Sequence, residues 1–421
     1  MSRSAAWLLL LAACSTETAD SPDGGVSPEP DAPIDAMPPP LEERCISRVP
    51  DREWGGNADE SARVTISKTG GVFVHGYENG NLADTKEPGV DARGFVERWS
   101  GNDIRWSHNS GAAIDLVATD AWDRMTFVGR ARSGSQLDIL VGEMSPHGME
   151  LRTSTIGGPA SERPYSLLVN GDQRTVVGHD DIYIPSNYVA SWEDSFVFRW
   201  SRTEGPERGT FLRAASPSPD TTTGGALGLD NESTVIVGST VDGAFVRHVD
   251  ATFREPAWAQ YGIQETVRSI HKLSDGDYLI AGSTGYELGT RSFGGQDVFI
   301  ARLDPQLRIR WLEQHGSEAG DFALDLAVDD TTGRAYLLGE TTGDVAGAPA
   351  GQTDFFVIAL DESGHQRWAA QRGSAGDDRA TTIAVDACEN VLVAGATTGH
   401  LVPDHEPRGY DAFVVSITPT E

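Results

Sequence analysis

The chain repeats one pattern along its length. Residues 354–399 read DFFVIALDESGHQRWAAQRGSAGDDRATTIAVDACENVLVAGATTG, and residues 297–343 carry a loose copy of the same pattern. Phe299, Phe356 and Phe413 recur at intervals of 57 residues. Self-similarity at a fixed period is the signature of a repeat architecture, so the fold must be built from several equivalent units.

Each unit contains four short segments that suit β-strands, because they are apolar or alternating and are separated by turns rich in Gly, Asp and Ser. The third segment occurs seven times: residues 95–99, 138–144, 194–200, 243–249, 297–303, 354–360 and 411–417. Seven glycines mark the predicted ends of the second segments: Gly76, Gly129, Gly178, Gly238, Gly282, Gly339 and Gly395. Four-stranded antiparallel units around an axis form a β-propeller, so the sequence predicts an all-β fold with seven blades.

The two ends of the repeat region complement each other. The last unit stops after its third segment and therefore lacks the Trp-bearing fourth one. A fourth-strand segment, residues 52–54, instead precedes the first unit. Pairing the two would close the ring and remove two exposed sheet edges, which otherwise promote aggregation. We therefore expect the N-terminal strand to complete the last blade.

The cysteines fit this closure. Cys388 lies in the predicted turn between the first two strands of the last blade, and Cys45 lies just before the strand that completes that blade. Both would lie on the same face of one blade. In an exported protein the pair can form a disulfide, which would close a very long loop. The alternative is two unpaired thiols.

The N-terminal residues predict export and lipid attachment. Residues 1–13 combine a basic residue with an apolar run, as in a secretory signal peptide. Leu-Ala-Ala directly before Cys14 resembles a bacterial lipobox, in which the cysteine is lipidated; an ordinary cleaved signal peptide is the alternative. Residues 14–44, which begin with this cysteine, are rich in Pro, Asp and Ser, and this composition predicts a disordered tether. The folded domain would then span residues 45–421.

The net charge of −30 restricts the partners of the chain. A field of that sign opposes binding to nucleic acid and to anionic lipid headgroups, so we expect no nucleic acid partner and membrane contact only through the lipid. The histidines form no H-E-x-x-H motif, and no G-x-S-x-G motif is present. We therefore expect no zinc, no cofactor and no serine hydrolase triad.

The unit pattern D-x-F-V-x-x-L-D…W…G…D…A-x-D…G-x-x-x-x-x-G-x-T resembles the bacterial seven-bladed β-propeller repeat family, abbreviated SBBP. One unit matches at Asp297, Phe299, Leu303, Trp311, Gly316, Asp321, Ala327, Asp329, Gly333, Gly339 and Thr341. The next unit matches at Asp354, Phe356, Leu360, Trp368, Gly373, Asp377, Ala384, Asp386, Gly395 and Thr397. The match is good over residues 290–421 and weaker upstream, where the third unit carries an inserted loop. The resemblance implies an exported, often surface-attached scaffold and no common reaction.

Residues that recur once per unit favour a structural role over metal binding or catalysis. The recurring aspartates are Asp297, Asp354 and Asp411. The recurring tryptophans, which predict packing between blades, are Trp54, Trp106, Trp258, Trp311 and Trp368. Acidic clusters at residues 274–277, 329–333 and 377–378 match no complete calcium-binding loop. We expect solvated turns there, with bound Ca²⁺ as the alternative.

Long loops connect the second and third strands of most units: residues 78–93, 179–193, 283–295, 340–353 and 396–410. Strand alternation places all of them on one face, and binding residues concentrate on such loops. Tyr183, Tyr188 and Trp192 form the densest aromatic group among them. They suit stacking on a sugar or anchoring a protein, and the alternative is packing over a blade edge.

Together these features predict a monomeric, lipid-anchored β-propeller in the cell envelope, attached to the outer membrane. We expect it to act as a binding or scaffold module for a glycan or protein partner, and not as an enzyme. Two alternatives stay open. One is a polysaccharide-acting enzyme with acidic residues in the central pocket, and the other is a purely structural envelope protein.

Overall fold

In the computed structural model, the described residues form seven antiparallel sheets of four strands each, arranged as the blades of a β-propeller. The structure describes residues 45–418 except 47–48, 56–58, 68, 81–92, 101–102, 134–135, 158–160, 183–191, 214–219, 228–232, 241–242, 251–256, 262–264, 289–290, 331 and 404–407. All of them belong to one compact unit, Pro38–Glu421. The predicted signal peptide, Cys14 and the predicted tether lie outside the described residues.

Six blades are each formed by consecutive strands. Blade 1 contains β2 (Asp59–Ile66), β3 (Val72–Gly80), β4 (Arg93–Ser100) and β5 (Asp103–Ser110). Blade 2 contains β6 (Ala113–Thr119), β7 (Met125–Ser133), β8 (Gln136–Met144) and β9 (Glu150–Ile156). Blade 3 contains β10 (Ser161–Asn170), β11 (Gln173–Ile182), β12 (Trp192–Ser201) and β13 (Thr210–Arg213), with a short 3₁₀ helix at Pro206–Arg208.

Blade 4 contains β14 (Asp220–Leu227), β15 (Thr234–Thr240), β16 (Gly243–Val249) and β17 (Ala257–Tyr261). Blade 5 contains β18 (Glu265–Lys272), β19 (Tyr278–Thr284), β20 (Asp297–Leu303) and β21 (Ile309–His315). Blade 6 contains β22 (Asp321–Asp329), β23 (Arg334–Thr341), β24 (Asp354–Leu360) and β25 (Gln366–Arg372). The seven third strands confirm the predicted segments, and the first three of them are one or two residues longer at one or both ends.

The last blade joins the two ends of the propeller. It contains β26 (Asp378–Val385), β27 (Val391–Thr397), β28 (Asp411–Ile417) and the N-terminal β1 (Arg52–Trp54). β1 pairs antiparallel with β28. The predicted ring closure is therefore confirmed.

A disulfide between Cys45 and Cys388 reinforces the closure, as the positions of the two cysteines predicted. Their Cα atoms are 5.4 Å apart, and the bond joins positions separated by 343 residues. Asp51 adds polar contacts to both of the last two blades, since its carboxylate accepts hydrogen bonds from the Ser416 amide of blade 7 (2.8 Å) and from the Arg372 guanidinium of blade 6 (2.8 Å).

The hydrophobic core lies between neighbouring blades. Phe355 of blade 6 and Phe413 of blade 7 are fully buried, and their rings stack with centroids 5.5 Å apart. The ring of Trp311 on blade 5 lies under Gly364, a turn of blade 6 with a φ of +87°. Trp106 of blade 1 makes the equivalent contact under Gly148 of blade 2. These contacts confirm the predicted inter-blade role of the two tryptophans.

The recurring glycines do not end the second strands, as the sequence pattern suggested, because each strand continues past its glycine. Their role is steric. A Cβ atom on Gly129 would lie 2.0 Å from the carbonyl oxygen of Ala113 on the first strand, and one on Gly282 would lie 2.0 Å from that of Thr266. In six blades the first strand bulges directly after the residue that pairs with this glycine.

Candidate functional site

The bulges position one extra side chain in the first strand of each of six blades. These extra residues, which have no partner in the register with the second strand, are Asp115, Tyr165, Thr223, Arg268, Leu324 and Thr381. Bulges commonly redirect side chains next to functional sites. Four of the six, namely Asp115, Arg268, Leu324 and Thr381, line a single cavity.

This axial cavity has a volume of about 250 Å³. Its other lining side chains include Ser61, Arg63, Tyr77, Arg130, Glu340 and Arg379. Blades 2 and 5 are not neighbours in the ring, so a cavity lined by both lies on the propeller axis. Each first strand begins on the face that carries the long connections between second and third strands. The lining residues of the first strands come from their early and middle positions, so the cavity lies towards that face. We call this side the long-loop face.

Four arginines dominate the charge of the axial cavity, although the whole chain carries a net charge of −30. The positive charge of Arg130 is balanced by Asp115, because the guanidinium donates to both carboxylate oxygens at 2.9 and 3.0 Å. Burial disfavours the charge on Arg130, but the carboxylate outweighs burial and raises its pKa. Among the described residues, neither Arg63 nor Arg268 forms an ion pair, so two guanidinium groups line the cavity without a paired carboxylate.

The fourth arginine, Arg379, belongs to a polar cluster at the cavity mouth. It contacts the carboxylate of Asp377 at 2.9 Å, and its guanidinium lies 4.9 Å from the ring centre of Tyr410. The hydroxyl of Tyr410 donates to the same carboxylate at 2.8 Å. Burial, together with this hydrogen bond, raises the pKa of Tyr410 to about 12. The cluster holds Arg379 in place at the rim.

A second cavity of about 280 Å³ continues the channel towards the opposite face, and Arg63 and Asp115 line both cavities. His75 lines the second cavity, where burial and then the charge of Arg63 lower its pKa to about 3. Asp325 also lines it, and burial raises the pKa of this carboxyl. Its oxygens accept hydrogen bonds from the amides of Leu326 (2.8 Å) and Ile383 (3.2 Å), which indicates a structural role.

The predicted aromatic group is only partly within the structure. Tyr183 and Tyr188 lie outside the described residues. The backbone of Trp192 begins strand β12, and its side chain lies outside the described part. Binding by these three residues therefore stays a prediction.

The recurring aspartates act as structural links, as predicted. Asp297 accepts hydrogen bonds from the Phe293 amide (2.9 Å) in the loop before its strand and from the Gln314 side chain (2.7 Å) on the outer strand. Asp354 repeats this arrangement with the Ala350 amide (2.9 Å) and Gln371 (3.0 Å). Each aspartate therefore fixes a long loop to its own blade.

The expectation that the acidic clusters are solvated turns holds for Asp275 and Asp330, which are exposed, and is wrong for one acid of each cluster. Asp277, Asp329 and Asp378 are buried, because the turn amides and neighbouring side chains supply their hydrogen bonds. Asp277, for example, contacts Arg302 and Arg310 at 2.7 Å each. In the described part of the chain, no group of three or more His, Cys, Asp or Glu side chains could hold a metal ion.

Sequence reasoning missed the arginines of the axial cavity. The available signal was a charged residue within the short first strand of several units, as at Arg63, Arg268 and Arg379. An alternation pattern alone could not identify Arg268 as facing the axis, because a bulge changes the alternation in the middle of its strand.

No protein-family model matches the chain, and no curated protein matches it. Several solved structures match it. The β-propeller domain of Cps50 (Swd1) from Myceliophteria thermophila is 12% identical, with a TM-score of 0.50, and the match covers 88% of this chain and 100% of that one. The Dos1 propeller is 10% identical, with a TM-score of 0.50, and the match covers 87% of this chain and 95% of that one.

At this level of identity the comparisons show the fold alone. Within the residues that the structure describes, no helix has the length and hydrophobicity needed to cross a bilayer. The chain is a seven-bladed β-propeller.

Proposed function

We propose that this protein is an exported, lipid-anchored binding module that presents its long-loop face to a glycan or protein partner. The observation that carries the proposal is the axial cavity on that face, with two arginines that form no ion pair among the described residues. Concave sites with a few convergent polar groups are the usual ligand sites of proteins. The lipobox at Cys14 and the resemblance to SBBP repeats support attachment to the outer membrane of the cell envelope.

The position of the disulfide supports this orientation. Cys388 lies in the turn between the first and second strands of blade 7, on the face opposite the long loops. Cys45 is bonded to it, so the described part of the chain begins at that opposite face.

The test uses the chain from Ser15 to Glu421, exported so that the disulfide forms but without the lipid. It is applied to a glycan array and, in parallel, to a pull-down from envelope extract. We expect retention of one ligand class. A variant in which Tyr183, Tyr188 and Trp192 are all replaced by alanine tests whether the aromatic loop contributes. If that variant retains the ligand as well as the wild type does, the aromatic group is not part of the binding site. If neither assay detects a ligand, the result contradicts the binding role.

The axial cavity favours binding over catalysis. The enzyme alternative predicts two carboxylates that converge at the axis. In the described lining, arginines outnumber carboxylates, and both oxygens of Asp115 are held by Arg130. Hydrolysis of any polysaccharide by the purified chain would restore the enzyme alternative.

A further inference from the structure

The composition of the axial cavity indicates the chemistry of its ligand. Arg63 and Arg268 come from first strands of blades 1 and 5, on different sides of the ring, and both line the same cavity. A guanidinium presents a planar fork of donors that matches the oxygens of a carboxylate, a sulfate or a phosphate. Because neither arginine forms an ion pair among the described residues, their donors are suited to an anion supplied by a ligand.

The remaining lining groups suit a ligand that also carries hydroxyls. Ser61, Tyr77 and Thr381 contribute hydroxyl groups, and Glu340 contributes a carboxylate that accepts hydrogen bonds. A sugar ring with an acidic substituent offers one anionic group beside several hydroxyl groups that both donate and accept. An aspartate or glutamate side chain of a peptide offers the anionic group alone, so it would match the arginines but not the hydroxyl groups of the lining.

The size of the cavity limits the ligand to one ring. Pockets for drug-sized ligands have volumes of about 300–1,000 Å³. The axial cavity, at about 250 Å³, lies just below that range. It therefore admits a single residue of a polymer, whose neighbouring residues would lie across the long-loop face.

A bulge accounts for the place of Arg268 in the cavity, whereas Arg63 of blade 1 is not one of the six extra residues. The bulge in blade 5 falls at Arg268, and the bulge in blade 7 places Thr381 in the same lining. At physiological ionic strength, the charges of exposed acids more than about 8 Å away are largely screened. The local field inside the cavity is then set by its own arginines, and an anion can bind despite the net charge of −30.

We propose that the axial cavity binds one anionic sugar residue of an acidic glycan, with Arg63 and Arg268 contacting its acidic group. This inference rests on the proposed binding role of the long-loop face and names the ligand class for it.

The experiment is calorimetric titration of the chain from Ser15 to Glu421 at physiological ionic strength. The probes are trigalacturonate and its fully methyl-esterified form, which differ in charge but keep the same sugar rings. Glucose 6-sulfate and glucose 6-phosphate distinguish the type of acidic group, and triglutamate represents an acidic peptide. We expect at least one of the three anionic sugars to bind and the methyl ester to bind at least tenfold more weakly than trigalacturonate if the carboxylate is the preferred group.

Arg63→Gln and Arg268→Gln remove the proposed contacts. Each is expected to weaken binding of the anionic sugar roughly ten- to hundredfold, which is the usual effect of losing a charged hydrogen bond. Arg105→Gln is the matched control, because it removes the same charge from an exposed side chain on the outer strand β5. Arg268→Lys keeps the charge without the fork and is expected to recover part of the affinity. Arg268 is exposed, so its variants are expected to fold.

Three outcomes would overturn the inference. Binding of an anionic sugar that neither arginine variant weakens would place the site elsewhere. Tighter binding of triglutamate than of any sugar would identify a peptide ligand. No binding of any anionic sugar would exclude the ligand class, while the glycan array and the pull-down would still decide separately whether the long-loop face binds a partner.

Discussion

Replacing Gly282 with alanine tests the steric account of the recurring glycines. Gly282 lies in the second strand of blade 5, where its partner Val267 directly precedes the bulge. A Cβ atom at position 282 would lie 2.0 Å from the carbonyl oxygen of Thr266 and 2.8 Å from the ring of Phe299. Real Cβ atoms essentially never come closer than 3.0 Å to such atoms, so the first strand would have to move by about 1 Å.

The expected loss of stability follows from the packing and the hydrogen bond that this movement would disrupt. Overpacking of a well-packed site costs about 1–3 kcal/mol, and a buried backbone hydrogen bond lost at the bulge costs about 1–3 kcal/mol more. Alanine also restricts the unfolded chain, which offsets about 0.4–1 kcal/mol. The expected net loss in the free energy of unfolding is about 2–4 kcal/mol. For a domain of this size, that corresponds to a fall in Tm of about 3–5 °C.

The assay is thermal and urea-induced unfolding followed by tryptophan fluorescence. Gly111→Ala is the control, because a Cβ atom there would have no atom within 4 Å. Both variants restrict the unfolded chain equally, so the difference between them isolates the crowding. If Gly282→Ala were within about 0.5 kcal/mol of Gly111→Ala, the steric account would be refuted.

Three further predictions concern the closure, the blade contacts and the pH dependence. Cys388→Ser removes a disulfide that spans 343 residues, so the Tm should fall, with about 6 kcal/mol as the chain-entropy upper limit; an unchanged Tm of the wild-type chain on reduction would contradict this. Trp311→Ala should destabilise the fold by about 2–4 kcal/mol in urea unfolding, whereas Ile309→Ala on the same strand, with a side chain 48% exposed, should cost less than about 1 kcal/mol. The pKa of His75 is about 3 in the folded chain and returns to its ordinary value of 6.5 on unfolding, so its contribution is fully present above pH 6.5 and is lost as the pH falls towards 3. The stability advantage of the wild type over His75→Gln should therefore shrink by about 1.4 kcal/mol per pH unit between pH 6 and pH 4, and a constant difference would show that His75 is not buried in its neutral form.

The blade count, the third strands and the closure could all be predicted from the sequence. Each of these features depends on a local sequence pattern that recurs in every unit. Phe299, Phe356 and Phe413 keep one spacing because each occupies the same position in its own blade. The segment at residues 52–54 could be assigned because the last unit lacks a fourth strand, and the observed β1 confirms it.

The candidate site could not be predicted in the same way. Sequence reasoning placed binding on the long loops and expected acids at the axis only for an enzyme, whereas the axial cavity is lined by four arginines. Arg63 and Arg268 are far apart in the sequence, and only the ring brings their strands to a common axis. The sequence pattern within one unit therefore does not predict which residues of different units line the same cavity.

What the sequence by itself determined is therefore the repeating strand order, and with it the propeller and its closure. Only the tertiary structure decided which side chains face the channel. The physical reason is the bulge: side chains alternate along a strand with a period of two, so one inserted residue reverses the faces of the residues that follow it. Arg268 and Thr381 lie at such insertions, and their place in the cavity depends on a backbone geometry that the alternation of the sequence does not show.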